Sequence, residues 1–146
     1  MLRIILLVGL PGSGKSTYAA RLRWPVISSD HLRSLIADDA TDQSVHGPVF
    51  DAVRYLLRKR LEVGRPLTCI DATHLTPRER RPYFRIAERY GCQVEAVFFD
   101  LPVEICQERN RKRDRVVPLQ AIERMALKLV APTVEEGFSR ITVIRE

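Results

Sequence analysis

Gly9-Leu10-Pro11-Gly12-Ser13-Gly14-Lys15-Ser16 stands directly after the apolar run Leu2-Arg3-Ile4-Ile5-Leu6-Leu7-Val8. The run reads as a buried strand over residues 2–8, and the octet completes G-x-x-x-x-G-K-[ST] at the point where that strand should end. A loop of small residues lets successive backbone N–H groups turn inward around phosphate oxygens, and Lys15 adds a point charge. The hydroxyl of Ser16 is placed to hold Mg²⁺. The helix that follows aims its positive dipole end at the same anion. Side chains at Gly12 and Gly14 would block the close approach or the backbone angles that such a loop needs. An ordinary Gly-Pro-Gly turn would not require the whole octet, so binding of a nucleoside triphosphate is the working premise.

Working outward, apolar runs alternate with amphipathic stretches, which is how a parallel sheet covered by helices reads. Further strands are predicted over 26–28, 67–71, 94–100 and 141–144. The first helix begins in the phosphate loop and runs to about Leu22, and a second follows Asp30. Val49, Val53, Leu56, Leu57 and Leu61 share one helical face, ended by Gly64 and Pro66. Thr76-Pro77-Arg78-Glu79 reads as a capped helix start with Pro in the first position and Glu reaching back to complete a capping box, and that helix ends at Gly91. Pro102 opens a helix through about Lys112. Pro118 opens a last one with Leu119, Ile122, Ala126 and Leu129 on its buried face, closed by Pro132. Residues 38–48 are the least patterned stretch and read as a surface loop or an acceptor-side lid. The expectation is a single α/β domain over 1–146: a small parallel sheet of about five strands, with helices on both faces.

The 146 residues suffice for one domain with a real core. No apolar stretch has membrane-spanning length, and the N-terminal run passes into the phosphate loop without a cleavage-like site. Cys69, Cys92 and Cys106 are odd in number and widely spaced, which suggests neither a disulfide framework nor a zinc site and fits a reducing cytoplasm. The formal net charge of +6, with 20 of the 24 basic residues Arg, points to anionic partners or to a solvated Arg-rich surface.

Residues just past the strands of an open α/β sheet face the crevice at its carboxyl edge. Asp30 and Asp71 occupy such places after the second and third predicted strands. Asp71 closes Leu67-Thr68-Cys69-Ile70-Asp71 and suits a carboxylate that orients Mg²⁺ beside Ser16, or else caps the next loop. Asp30 is either a helix N-cap or the carboxylate that orients an acceptor hydroxyl and takes its proton. Arg33, at i+3 from Asp30, shares its face as an anion clamp or as a plain surface charge. Arg109, Arg113 and Arg115 belong to a basic run before Val116-Val117-Pro118. That run is either a lid, around 109–117, folding over triphosphate oxygens, or a solvated stretch. His31, His46 and His74 lack metal-ligand spacing and read as local polar contacts, while Tyr18, Trp24 and Phe50 read as packing.

GLPGSGKST over Gly9–Thr17, Asp30-His31-Leu32-Arg33, Asp71 through Pro77 to Arg80-Arg81, and Glu108-Arg109-Asn110-Arg111-Lys112-Arg113 with Val117-Pro118 resemble, in order, the kinase domain of polynucleotide 5′-hydroxyl kinases of phage and bacterial nucleic-acid repair. The resemblance implies a P-loop kinase fold and an ATP- and Mg²⁺-dependent transfer of the γ-phosphoryl group to a hydroxyl, foremost the 5′-OH of DNA or RNA. It implies that Gly9, Gly12, Ser13, Gly14, Lys15, Ser16 and Thr17 hold ATP, with Ser16 and Asp71 on the metal. It also implies that Asp30 is the general base, that Arg33 clamps the acceptor's phosphate and that Arg109 and Arg113 close on the donor phosphates. Lys15, Asp30, Arg33 and Arg113 are thus the expected catalytic set, and such kinases often form homo-oligomers. Small P-loop kinases acting on sugars, nucleotides or antibiotics share the skeleton and form the alternative reading. A regulatory ATP-binding module is a third. A GTPase would carry N-K-x-D, and the chain's one Asn, Asn110, precedes Arg111.

Overall fold

The computed structural model describes residues 1–113 and 116–146. Five strands, β1 (Arg3–Val8), β2 (Val26–Ser28), β3 (Leu67–Asp71), β4 (Gln93–Phe99) and β5 (Arg140–Ile144), form one sheet in the order β2-β3-β1-β4-β5. Every neighbouring pair is parallel. The six helices are α1 (Lys15–Arg21), α2 (Ser29–Ala37), α3 (His46–Glu62), α4 (Pro77–Tyr90), α5 (Val103–Arg111) and α6 (Leu119–Lys128).

A parallel sheet must be covered on both faces, and the pleat of β1 divides the cover. Ile4, Leu6 and Val8 point to a cluster with Val53, Leu57 and Leu61 of α3 and Tyr83, Ile86 and Ala87 of α4. Ile5 and Leu7 point the other way, to Ala19 of α1, Cys69, Val97 and Phe99. Tyr18 meets both Trp24 and Phe99 edge-on on that face, so the aromatics pack as expected. A third cluster, Leu10, Leu75, Leu101, Cys106 and Ile122, lies beyond the strand ends and joins the phosphate loop to α5 and α6. β1 is central, with β2 and β3 on one side and β4 and β5 on the other, which puts the phosphate loop at the point where strand order reverses.

Several local readings are corrected. Leu56 is 39% exposed, because the buried face of α3 follows Val49, Val53, Leu57 and Leu61. Leu119 is exposed too, and Ile122 alone is fully buried on α6. Ser28, not Asp30, is the N-cap of α2: its hydroxyl accepts the N–H of His31 at 3.2 Å. Thr76 caps α4 as expected, accepting the Glu79 N–H at 3.3 Å, but the Glu79 carboxylate accepts from the Thr76 hydroxyl at 2.9 Å, so the box closes side chain to side chain. The segment 38–48 is more ordered than a bare loop, since a 3₁₀ turn, Gln43–Val45, is capped by Asp42 and α3 already starts at His46.

Candidate active site

β1 delivers Gly9 at the carboxyl edge of the sheet, and the loop returns through two left-handed glycines, Gly12 (φ 83°) and Gly14 (φ 97°). Gly14 is the N-cap of α1. At Gly12 the close approach is literal: a Cβ would stand 2.3 Å from the backbone oxygen of Cys106 and 3.1 Å from the Asn110 nitrogen. The phosphate loop therefore leans directly on α5, and no larger residue fits between them.

Lys15 is buried, and its ammonium donates to the carbonyls of Gly9 at 3.1 Å and Leu10 at 2.9 Å. An ammonium has three N–H donors, so one remains for an anion held in the loop. Burial pushes the Lys15 pKa down; Asp71 opposes that, Arg113 adds to it, and Asp30 opposes it. Three of the charges singled out in the sequence thus act on one ammonium. The hydroxyl of Ser13 is buried without a partner and lies 2.8 Å from where a Cβ on Gly9 would stand.

Ser16 is exposed, and its hydroxyl donates to Asp71 Oδ2 at 2.6 Å. One hydroxyl and one carboxylate at that spacing, beside a phosphate loop, match the two protein ligands that Mg²⁺ takes when triphosphate oxygens and water supply the rest. Among the described residues no group of three or more His, Cys, Asp or Glu is gathered for a metal. Thr17 is exposed on the first turn of α1.

β2 and β3 end side by side with Ser28 beside Asp71, and Asp30 lies two residues further on, in the first turn of α2. Arg33, 4% exposed, places Nη1 3.4 Å from Asp30 Oδ1, while its Nε is buried with no partner. The i,i+3 spacing read in the sequence is a real pairing. A guanidinium this buried and incompletely satisfied favours a further anion.

On the other flank, Arg109 of α5 donates from Nη1 to the Ser13 carbonyl at 3.4 Å. Arg113 is half-buried, its backbone N–H bound to the Asn110 carbonyl at 3.1 Å. Arg115 lies outside the described residues.

Three residues given no role in the site by sequence, His74 among them as a local polar contact, sit close to this constellation. Asn110 is fully buried at the end of α5. His74 is buried at φ 49°, with Nδ1 2.5 Å from the Leu7 carbonyl and its ring edge-on to Tyr83. Burial holds its pKa down to about 4; the Leu7 bond opposes this, and the charges of Arg80 and Lys15 add to it. Arg80 has no exposed surface and ties the chain together, donating to the carbonyls of His74 (2.9 Å), Leu75 (3.2 Å) and Val130 and to the Glu136 carboxylate (3.0 Å). Periodicity could have found Arg80, which shares a face with Tyr83 and Ala87 at i+3 and i+7.

With this geometry in place, comparison with known proteins gives the family. Residues 4–132 match an AAA domain family, AAA_33. The chain belongs to that family. Two curated relatives of this AAA_33 chain are a transcription factor, bHLH140, of Arabidopsis thaliana, 29% identical across 94% of the chain, and human L-seryl-tRNA(Sec) kinase, 28% identical across 64% of it. The chain spans 15% and 27% of the lengths of those two proteins. In the solved RNA repair complex Pnkp1/Rnl/Hen1, one protein chain is 27% identical and superposes with a TM-score of 0.75, covering 88% of this chain and 44% of that one. A gluconokinase from Sinorhizobium meliloti, 20% identical, has the same fold with a TM-score of 0.65, covering 97% of this chain and 81% of its own. The architecture of this AAA_33 chain is the α/β fold of P-loop kinases, with a five-stranded parallel sheet and six helices among the described residues. No helix among the described residues is long and apolar enough to cross a membrane.

Proposed function

We propose that this chain is an ATP- and Mg²⁺-dependent phosphotransferase that moves the γ-phosphoryl group to the 5′-hydroxyl of a polynucleotide. The observation that carries the acceptor class is Arg33: a buried guanidinium with an unpartnered Nε, paired with Asp30 beside the metal-side carboxylate Asp71. A neutral sugar offers such a group nothing that its burial calls for, whereas the phosphate adjoining the terminal nucleoside of a DNA or RNA strand does. The RNA repair complex and the seryl-tRNA kinase among the similar proteins support the same direction.

In this reading Gly9 to Thr17 wrap the donor phosphates, with the free N–H of Lys15 on an oxygen of the transferred group. Mg²⁺, when bound at Ser16 and Asp71, would neutralise charge on the phosphate oxygens. Asp30 orients the acceptor hydroxyl in line and takes its proton, while Arg33 fixes the acceptor through its phosphate. Arg109 and Arg113 close on the donor side and stabilise the charge that spreads over the equatorial oxygens.

The test is label transfer from γ-labelled ATP with Mg²⁺ to a 5′-hydroxyl oligonucleotide, with a 5′-phosphorylated oligonucleotide, a panel of small hydroxylated molecules and water alone as the other acceptors. Label is expected on the 5′-hydroxyl strand and not on its phosphorylated twin. Transfer to a sugar or nucleoside in preference to the strand would move the assignment to a small-molecule kinase, and release to water alone would make the chain an ATPase.

A further inference from the structure

Asn110, the chain's single asparagine, joins three parts of the candidate site. Its side chain forms two bonds to one residue across the basic segment: Nδ2 donates to the Val117 carbonyl at 2.7 Å, and Oδ1 accepts the Val117 N–H at 3.0 Å. Its backbone carbonyl accepts the N–H of Arg113 at 3.1 Å. Its backbone nitrogen faces Gly12 of the phosphate loop so closely that a Cβ there would lie 3.1 Å away. Arg109, the preceding residue, reaches the Ser13 carbonyl.

A buried carboxamide satisfied on both sides by one backbone residue is a bidentate clamp, and leaving either partner unmet in a buried place is unfavourable. The clamp pins the two ends of the run that carries Arg113, and it does so from a helix turn that already touches the loop holding the donor phosphates. Val117 has no side-chain donor or acceptor, so both of its bonds to Asn110 run through its backbone.

Resting on the phosphotransfer reading above, we infer that Asn110 is a positioning residue that holds Arg113 and Val117 to the turn of α5 that touches the phosphate loop, so that Arg113 meets the transferring group. It touches no reacting atom. Its effect is transmitted through Arg113, which sets it apart from a residue that merely supports the fold.

The experiment is a double-mutant cycle of Asn110→Ala and Arg113→Ala, read by kcat, KM for ATP and thermal unfolding, alongside limited trypsinolysis of the folded proteins with and without a non-hydrolysable ATP analogue. The Arg and Lys residues of the segment are themselves the tryptic sites. Asn110→Ala is expected to lower kcat at least tenfold with KM for ATP changed less than threefold. In the Arg113→Ala background the same change should lower kcat less than threefold, because the group it positions is already gone. Cleavage between residues 109 and 117 should be at least tenfold faster in Asn110→Ala and lose its protection by the nucleotide. Asn110→Asp, which keeps the acceptor for the Val117 N–H but loses the donor, should fall between the two in both readouts. Equal kcat losses with and without Arg113 would overturn the inference, as would wild-type cleavage in Asn110→Ala. Global unfolding of both variants at assay temperature would overturn it too, since Asn110 would then hold the fold and not the segment. The proteolysis arm needs no acceptor: if wild type transfers phosphoryl groups to none, the functional reading fails while the clamp is still judged by its cleavage.

Discussion

Acidification should destabilise this protein through a single imidazole. His74 points Nδ1 at the Leu7 carbonyl, so Nδ1 carries the proton and Nε2 is a bare acceptor, buried with no partner. A second proton would have to enter at the buried Nε2, where desolvation and the positive charges of Arg80 and Lys15 outweigh the backbone bonds to Leu7 and Ala72 that favour it. The folded protein therefore keeps His74 neutral down to about pH 4, while in the unfolded chain it titrates near 6.5. The unfolded state binds more protons across that interval, so stability is complete above about pH 6.5 and is lost as pH falls toward 4. At about 1.4 kcal/mol for each pH unit, the gap corresponds to about 3 kcal/mol, a large part of a small domain's stability. The comparison variant is His74→Asn: asparagine tolerates the left-handed backbone at φ 49°, offers an N–H for the Leu7 carbonyl and does not titrate. Urea unfolding of both proteins between pH 4 and 7.5 measures the difference in stability at each pH. Wild type should lose about 3 kcal/mol relative to the variant on going from pH 7 to pH 4. A difference that stays level across the range would refute the reasoning, because it would mean that the ring is already protonated in the folded state or is not buried.

Arg80→Met should cost about 3–5 kcal/mol in unfolding free energy, because it removes the counter-charge of Glu136 and takes the guanidinium donor from the His74 and Val130 carbonyls; a loss below 1 kcal/mol in chemical denaturation would show the network to be dispensable. Gly12→Ala drives a methyl toward the Cys106 carbonyl at a positive φ, so ATP affinity measured by calorimetry should fall at least tenfold, with about 1–3 kcal/mol of stability lost; unchanged affinity would mean that α5 does not brace the loop. Ser16→Ala should leave the fold intact and weaken binding of Mg·ATP more than of metal-free ATP, and equal weakening of both would remove Ser16 from the metal.

The sheet was legible because a parallel strand buried on both faces announces itself as a short apolar run, and all five expected strands form within a residue or two of their expected bounds. The phosphate loop was legible because its chemistry is carried by the backbone and fixes residue types at fixed spacing. Asp30 reads in the sequence as either a cap or a base, and the Ser28 hydroxyl removes the first choice by holding the cap, while Asp30 pairs with Arg33. What escaped were the partners of three buried polar side chains. His74 answers to Leu7, Arg80 to Val130 and Glu136, and Asn110 to a backbone seven residues away, and none of these pairings leaves a periodic trace. Leu56 misled for a simpler reason: α3 carries more apolar residues than its buried stripe holds, and composition alone does not say which of them face water.

The claim on which the rest depends is that a donor triphosphate in the Gly9–Thr17 loop and the Asp30 carboxylate serve one reaction. Asp30→Asn, which exchanges one carboxylate oxygen for an amide nitrogen, tests it when kcat for 5′-hydroxyl phosphorylation and Kd for Mg·ATP are measured on the same preparation. The expected result is a fall in kcat of at least a hundredfold with Kd for Mg·ATP within about threefold of wild type. Phosphorylation at the wild-type rate by this variant would contradict it.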